Sequence, residues 1–363
     1  MTGTRIAIFI AALFCAAINA QAQFGGTAGS FMLMGYGARG MGMGNACVAY
    51  TGPDALALHN PAASAFAETR EVFGSYSALG LDRTLNVLAF TAPIVVYKKT
   101  KMIDTTKSKD PAGEVTKTVD STRIRLSTIG ISVGGVFSGV SNIDARDADA
   151  DQIGIVSTYE NFYYGGFAIR FKPNISAGVL VRFFDAKLWE GIKSSGVAVD
   201  LGAIYRVNDQ LQFGLAIQNL AGGGYRWDTS PVYNQAGQVT EDKFPTLFKV
   251  GAAYHFGGGQ AVTRDNMSVI EYPATAYAEL EQSTVGTTIL RGGAEYYLSD
   301  VFVLRAGIDG YDLQNRLASQ VRPSFGISVR PSFSSYTPSF HYAAILEPIA
   351  GGLMHVLSLG FQF

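Results

Sequence analysis

Apolar and polar residues alternate with a period of two along much of the chain. In the stretch NISAGVLVRFFD, residues 174–185, Val179 and Phe183 fall on one side of an extended chain, while Ser176 and Arg182 fall on the other. Successive side chains of a β-strand point to opposite faces. The alternation therefore predicts a strand with one apolar and one polar face.

Segments of this kind follow one another from residue 70 to the C-terminus. We predict fourteen of them, with bounds 70–80, 84–97, 122–137, 157–171, 174–186, 196–207, 211–219, 245–257, 267–282, 287–298, 301–310, 321–331, 336–346 and 353–363. An even number of strands is typical of bacterial outer-membrane barrels. Such barrels also commonly end on an aromatic residue, and the last predicted strand ends on Phe363. The predicted fold is all-β: a transmembrane antiparallel β-barrel of about 14 strands.

Most of the charged residues in these segments fall on the polar side of their strands. The predicted lumen charges are Arg170, Arg182, Asp200, Arg206, Lys249, Glu271, Arg291, Glu295, Arg305 and Asp309. A charge on the lipid face near the membrane midplane costs about 2–4 kcal/mol, so these side chains are expected to line the lumen and pair there. A soluble β-sandwich would show similar alternation, but the strand lengths, the terminal Phe363 and an export signal favour the barrel.

The export signal is predicted at the start of the chain. Arg5 precedes an apolar run, residues 6–18, and an Ala-Gln-Ala cleavage site follows at 20–22. A lipoprotein signal at Cys15 is disfavoured because the bulky Phe14 precedes it. The predicted division is a signal peptide at 1–22, a hatch segment at 23–66 and a barrel at 67–363, in the outer membrane.

The connections between the predicted strands alternate in length. Tight turns are expected at 172–174, 208–209 and 299–300, and long loops, expected to be extracellular, at 187–196, 220–244 and 311–320. This alternation matches the short periplasmic turns and long extracellular loops of such barrels. The long, lysine-rich connection at 98–121 is the exception. It is either a periplasmic insertion or a hairpin formed by extension of its two strands.

Charge and motifs exclude several classes of function. With 28 Lys and Arg against 29 Asp and Glu, the chain lacks the basic field that nucleic acid requires. The histidines at 59, 255, 341 and 355 lack ligand spacing, and a calcium site in the acidic loop 144–151 is less favoured than a solvated loop. No nucleophile elbow occurs. We expect no enzyme activity, no metal and no cofactor.

A glycine-rich segment, GYGARGMGMGNACVAYTGPDALALHNPAASAF, spans residues 35–66. It is not a phosphate loop, because no strand precedes it and no P-loop lysine follows. Glycines instead favour close packing of backbone in a confined space. Pro61 biases Asn60 away from helix, and the Asn60 amide is suited to bond backbone groups in a turn.

This segment resembles the N-terminal hatch of the FadL-like outer-membrane family, and more closely that of its PorV/PorQ branch, associated with type IX secretion. The matching features are Gly-Ala-Arg, a Met-Gly pair and Asn-Pro-Ala. The resemblance continues in VAVDLGAIYRVNDQLQFGLAIQNLAGG, FPTLFKVGAAYHF and LRGGAEYYLSDVFVLRAGIDG. It implies hatch or gating roles for Gly37, Arg39, Gly42, Gly44, Asn60, Pro61 and Ala62.

Two functions follow from the resemblance. The PorV-like reading is a secretion accessory that binds exported proteins or a translocon, and the predicted charged, sealed lumen favours it. The alternative is a FadL-like channel for long-chain fatty acids or other hydrophobic small molecules, which requires an apolar path. The loop with Tyr225, Trp227 and Tyr233 is a candidate protein-binding surface. An ordinary loop with Trp227 at headgroup level is an equally favoured interpretation.

Overall fold

A computed structural model describes residues 28–52, 54, 56–103, 119–220, 223–233, 237–257, 260–264, 267–314, 321–331, 333, 336–347 and 352–363. The predicted signal peptide lies outside these residues. Before the barrel, the chain forms a 3-10 helix Ser30–Met34, a short α-helix α1 (Gly37–Gly42) and a second 3-10 helix Pro61–Phe66. A short helix α2 (Ser230–Tyr233) lies in a long connection. None of the helices in these ranges is long and apolar enough to cross a membrane.

Eighteen strands follow the N-terminal helices in the described ranges. They are β1 Glu71–Ala78, β2 Arg83–Ile103, β3 Val119–Arg146, β4 Gln152–Lys172, β5 Ile175–Trp189, β6 Ile192–Arg206, β7 Leu211–Gln218, β8 Gly224–Asp228, β9 Val239–Lys243, β10 Leu247–Phe256, β11 Gln260–Arg264, β12 Met267–Glu271, β13 Ala274–Ser283, β14 Thr288–Tyr297, β15 Phe302–Asp312, β16 Arg322–Val329, β17 Thr337–Leu346 and β18 Leu353–Gln362.

Fourteen of these strands form one closed antiparallel barrel, which confirms the predicted fold. The order around the barrel is β1-β18-β17-β16-β15-β14-β13-β10-β7-β6-β5-β4-β3-β2. The first and last strands close it, with Glu71 opposite Gln362. The remaining strands form two separate hairpins, β8–β9 and β11–β12.

The strand pleat sorts side chains between lipid and lumen. On β5, Arg182 is 1% exposed and its neighbour Phe183 is 54% exposed. Large apolar side chains such as Leu357 and Leu359 of β18 are likewise exposed on the outer surface. An apolar outer face with polar side chains inside is the pattern of a membrane-spanning barrel.

The connections define two sides of the barrel. We call the end that carries the C-terminus and the short β4–β5, β6–β7 and β14–β15 turns the turn side, and the opposite end the loop side. Of the two interpretations of the connection at 98–121, extension of its two strands is the one observed, because β2 continues to Ile103 and pairs there with Val119 of β3.

The predicted strand 267–282 is wrong at its start. Its first part forms β12, which pairs with β11, and the barrel strand β13 begins only at Ala274.

Candidate functional site in the barrel lumen

Residues 28–66, called the N-terminal segment below, lie inside the barrel. Helix α1 contacts β15, β16, β17, β18 and β1, while the second 3-10 helix contacts β2 to β6. A segment that touches strands on opposite walls of a closed barrel occupies its lumen. Nearly all of its described side chains from Tyr36 onward are buried. A barrel of this size cannot be filled by strand side chains alone, and the N-terminal segment fills the remainder.

Arg39 of helix α1 is the centre of a buried ionic cluster. Its Nε and one terminal nitrogen donate to the two Glu295 carboxylate oxygens, and both nitrogen–oxygen distances are 2.9 Å. The same carboxylate accepts from Arg305 Nε at 2.6 Å. The guanidinium of Arg39 also lies 4.0 Å from the centre of the Tyr50 ring. Because one carboxylate is shared by two guanidinium groups, the cluster joins the N-terminal segment to β14 and β15.

A second ionic cluster fixes the middle of the N-terminal segment. The Glu279 carboxylate of β13 accepts hydrogen bonds from the backbone N–H groups of Cys47 and Val48, both at 2.9 Å. Arg291 bridges Glu279 at 3.3 Å and Asp309 at 2.7 Å. These groups are all buried. Charge pairing thus compensates their removal from water and positions the segment against the wall.

Asn60, Pro61 and Ala62 anchor the end of the N-terminal segment. The Asn60 side-chain nitrogen lies 2.7 Å from the Val48 carbonyl oxygen and 3.2 Å from that of Ala203 on β6. Its Oδ1 accepts from Ala62 N–H at 3.1 Å, which caps the 3-10 helix that Pro61 begins. Proline suits this first position, since its missing N–H would have no partner within the helix.

Gly37, Gly42 and Gly44 allow the close contacts of helix α1. Gly37 and Gly44 have φ angles of 73° and 62°, a region in which glycine is favoured. A Cβ atom at Gly44 would lie 2.6 Å from the backbone of Ile308 on β15. A Cβ at Gly42 would lie 3.3 Å from the Cα atom of Gly326 on β16. Glycine here permits backbone to approach backbone.

The other predicted lumen charges fall into three groups. Arg182 pairs with Asp200, both fully buried. Lys249 lies 3.0 Å from Glu281. Arg170 and Arg206 flank the Phe66 ring, at 5.1 and 4.1 Å from its centre.

Glu271 does not belong to this set. It lies on β12, opposite Gln260 of β11, and therefore outside the barrel sheet. Its assignment to the lumen followed from the incorrect start of the predicted strand.

A buried aromatic cluster lies in the lumen on the β4–β5 wall, and the sequence analysis missed it. We call it the aromatic cluster: Phe31, Tyr36, Phe162, Tyr164, Phe184, Tyr225, Trp227 and Phe244. The Phe184 ring centre lies 4.3 Å from that of Phe244 and 5.2 Å from that of Phe162. Strand alternation places Phe162 and Phe184 on the face expected to be polar. Adjacent aromatic residues, as in Phe183-Phe184, were the signal that both faces carry apolar side chains.

Tyr225 and Trp227, predicted to lie on a protein-binding surface, belong instead to the aromatic cluster. Tyr225 is 2% exposed, and its hydroxyl donates to Glu160 at 3.3 Å. Trp227 is half-buried, with its ring 5.1 Å from that of Tyr225. The β8–β9 hairpin thus turns its aromatic residues into the barrel, because they gain more burial there than at the surface. Tyr233 ends helix α2 in the same connection.

Small cavities accompany these clusters. One of about 40 Å³ is lined by Leu33, Glu281, Arg291 and Arg322, among others, and one of about 10 Å³ lies beside Arg39 within the N-terminal segment. A cavity that binds benzene has a volume of about 150 Å³. A hydrophobic molecule therefore enters either space only if side chains or the N-terminal segment move. Within the described ranges, no group of three or more potential metal ligands comes together.

The barrel and its internal segment define a class: a membrane-spanning β-barrel with an occupied lumen, of the outer-membrane type. The sequence profile of a family of unknown function, DUF5723, matches residues 138–346. The chain belongs to this family. A search of curated proteins gives no match.

Solved structures with similar folds include transporters. The Ralstonia pickettii toluene transporter TbuX has a TM-score of 0.53 at 12% identity, with 92% of this chain and 99% of that chain covered. A deltaS2 mutant of the TodX monoaromatic hydrocarbon channel has a TM-score of 0.51 at 12% identity, with 91% and 99% covered. A Pseudomonas aeruginosa FadL homologue has a TM-score of 0.47 at 13% identity, with 90% and 98% covered. At 12% identity, the similarity to TbuX and to the TodX mutant shows only that this chain shares their barrel fold.

Proposed function

We propose that the protein is an outer-membrane channel for hydrophobic small molecules. The observation that carries the proposal is the aromatic cluster, which gives one wall of the lumen an apolar lining. Binding sites for hydrophobic compounds are lined mainly by apolar and aromatic side chains. The similarity of the fold to those of a toluene transporter and a monoaromatic hydrocarbon channel is consistent with it.

In this proposal the aromatic cluster is the binding site and the N-terminal segment is the gate. Tyr225 and Phe244, from the β8–β9 connection, occupy the space that a ligand would take. A ligand entering from the loop side would displace these rings and then require movement of the N-terminal segment. The ionic clusters at Arg39 and Glu279 hold that segment in the blocking position.

The test uses two neighbouring phenylalanines of β5. Phe184→Ala removes a ring from the aromatic cluster, while Phe183→Ala removes one from the lipid-facing surface, where Phe183 is 54% exposed. Binding of the fluorescent probe N-phenyl-1-naphthylamine to protein in nanodiscs, and toluene entry into proteoliposomes, would be measured. We expect Phe184→Ala to change both probe binding and toluene entry. Its apparent affinity for the probe should be about tenfold lower, which corresponds to a loss of about 1.4 kcal/mol of binding free energy. Phe183→Ala should change neither probe binding nor toluene entry. Equal effects of the two substitutions would contradict the proposal.

A PorV-like accessory role in protein secretion is the second candidate. It is favoured by the buried ion pairs that join the N-terminal segment to β13, β14 and β15, since an immobile segment seals the lumen. Pull-down of the tagged barrel from gently solubilised outer membranes separates the two. Recovery of a large translocon protein or of exported proteins supports the accessory role. Recovery of the barrel alone, with hydrophobic small molecules bound, supports the channel. In both roles the protein is predicted to have no enzyme activity.

A further inference from the structure

One charged side chain lies among the rings of the aromatic cluster. Arg182 of β5 is two residues before Phe184, and residues two apart on a strand share a face. Both side chains are buried in the lumen. The central carbon of the Arg182 guanidinium lies 5.3 Å from the centre of the Phe162 ring. Arg182 therefore belongs to the part of the lumen wall that the proposed channel uses to bind its ligand.

On the side of β6, Arg182 is neutralised by an ion pair. Its Nη2 atom pairs with one oxygen of the Asp200 carboxylate. The second oxygen of Asp200 accepts from the backbone N–H of Asn219 at 2.9 Å. Arg182 and Asp200 are both fully buried, and pairing compensates the cost of burying each charge. The pair holds the guanidinium in place and leaves no excess positive charge to attract an anion.

On the side of the aromatic cluster, the guanidinium has weak partners. Its Nη1 atom lies 3.0 Å from the sulfur atom of Met32, and a thioether is a weak hydrogen-bond acceptor. Its buried Nε atom has no hydrogen-bond partner in the part of the chain that the structure describes. A buried donor without a good acceptor is unfavourable. An oxygen atom supplied by a ligand would satisfy this donor.

Met32 reaches from Arg182 to the ring of Phe244. A Cβ atom added at Gly29 would lie 2.4 Å from the Met32 methyl carbon and 3.2 Å from the Phe244 ring, so these two side chains meet there. A methionine side chain is unbranched and flexible, and it can rotate without a change in the backbone. A ligand that displaces Phe244, as the proposed function requires, would reach Arg182 once Met32 rotates.

We propose that the preferred ligand is an aromatic compound with one neutral hydrogen-bond acceptor, such as a ketone, and that Arg182 binds this acceptor. The inference rests on the proposed channel function and names its class of substrate. A hydrocarbon would leave the arginine donors unsatisfied, and sites built around a hydrogen bond discriminate strongly against analogues that cannot form it.

A neutral acceptor fits the charges around Arg182 better than an anion does. Asp200 already balances the charge of the arginine. A second carboxylate, that of Glu160, lies at the same cluster and accepts from the Tyr225 hydroxyl at 3.3 Å. A ligand carboxylate would add a third negative charge to this buried region, and an uncompensated buried charge is costly.

The test compares acetophenone with ethylbenzene, which have the same ring and nearly the same size but differ in the carbonyl oxygen. Each compound would compete with N-phenyl-1-naphthylamine for the full-length protein in nanodiscs. The change in the ratio of their affinities between variants isolates the contact to the oxygen, because the hydration of each compound is the same for every variant.

Arg182→Lys is the main variant. It keeps a cation beside Asp200 but removes Nε and the planar guanidinium. We expect the preference for acetophenone over ethylbenzene to fall about tenfold. Arg206→Lys is the matched control, because it makes the same exchange beside the Phe66 ring, away from the aromatic cluster. It should leave the preference at the parental value.

Met32→Leu keeps the test informative if Arg182→Lys does not fold, which heat-modifiable migration in gels would show. Leucine has no sulfur to compete for Nη1, so we expect the preference for acetophenone to rise about threefold.

Three outcomes would overturn the inference. One is an unchanged preference in the folded variants of Arg182 and Met32, and another is an equal fall in Arg206→Lys. The third is tighter binding of benzoate than of acetophenone by the parent protein, which would identify an anionic ligand. In each of these cases the channel function stands if the parent protein binds ethylbenzene. Failure of the parent protein to bind any of the three compounds would instead contradict the channel function, and the inference with it.

Discussion

Arg39 and Glu295 are 256 residues apart in the chain and form a two-point ion pair inside the barrel, with both nitrogen–oxygen distances at 2.9 Å. The pair joins helix α1 to strand β14, near the end of the strand at Tyr297. Two-point guanidinium–carboxylate contacts fix orientation as well as position. The pair therefore contributes to the orientation of helix α1 in the lumen, together with the hydrogen bond from Ala38 N–H to Ser358 Oγ at 2.8 Å.

Replacing Arg39 by alanine is expected to release helix α1. The substitution leaves the negative charge of the buried Glu295 carboxylate with one fewer cationic partner. This destabilises the packing of helix α1 in the lumen by about 3–5 kcal/mol. The barrel itself should remain, because its strand pairing is unchanged. Ion conductance in planar bilayers should rise.

Arg146→Ala is the matched control for Arg39→Ala. Arg146 pairs with Asp144, but its side chain is 55% exposed, and exposed pairs contribute about 0–1 kcal/mol. The conductance of the Arg146→Ala variant should equal that of the parent protein. Parental conductance in Arg39→Ala as well would show that this ion pair does not hold the lumen closed.

The fold was predictable because the barrel imposes one rule on every strand. Lipid excludes charge from one face, so alternation appears in segment after segment, and thirteen of the predicted strands each correspond to one barrel strand. Strands β2, β3 and β4 extend five to nine residues beyond one of their predicted bounds. The error at 267–282 has a local cause. Pro273 has no N–H to donate to a sheet, and it separates β12 from β13. The proline was a signal for a strand boundary that alternation alone did not show.

The lumen was less predictable. A hatch or gating role for Arg39 was implied by a resemblance. Its partner Glu295 could not be named, because alternation gives the face of a residue and not its height in the barrel. The aromatic cluster was missed for a related reason. The lumen was expected to be uniformly polar, whereas Phe162 and Phe184 occupy the part of it that the β8–β9 hairpin covers.

Asn60→Ala should loosen the second 3-10 helix without opening the barrel. The substitution leaves the Val48 and Ala203 carbonyl groups without this donor, and each buried group so affected costs about 1–3 kcal/mol. Backbone hydrogen exchange in 58–66, followed by mass spectrometry, should accelerate by at least about tenfold. Asn208→Ala is the control. Its side chain accepts from Leu211 N–H in an exposed turn, and it should leave exchange in 58–66 unchanged. Similar exchange in the Asn60 variant and the parent would argue against an anchoring role.

Gly307→Ala tests how closely the N-terminal segment packs against β15. A Cβ atom at this position would lie 2.2 Å from Gly44 N and from the Met43 carbonyl carbon, so backbone must shift. Overpacking of this kind typically costs about 1–3 kcal/mol. The thermal midpoint of the purified protein should fall, and cells should become more sensitive to vancomycin as the lumen opens. Gly74→Ala, with no atom within 4 Å of the added Cβ, should change neither quantity. An unaffected Gly307 variant would mean that the segment is held loosely.

Cys47 provides a reporter for movement of the N-terminal segment. The thiol is buried at 3% exposure, and burial, followed by the nearby Glu279 charge, raises its pKa well above the usual value. The thiolate is the reactive form, so maleimide labelling of the folded protein should be slow and should not accelerate between pH 7 and pH 9, where an exposed thiol ionises.

In Arg39→Ala the released segment should expose Cys47 to solvent. Labelling should then become at least about tenfold faster and should increase with pH, because an exposed thiol has a pKa of about 8.5. Arg146→Ala should label as slowly as the parent. Rapid, pH-dependent labelling of the parent protein would show that the segment leaves the lumen without any substitution, and that the ion pairs around Arg39 do not keep it there.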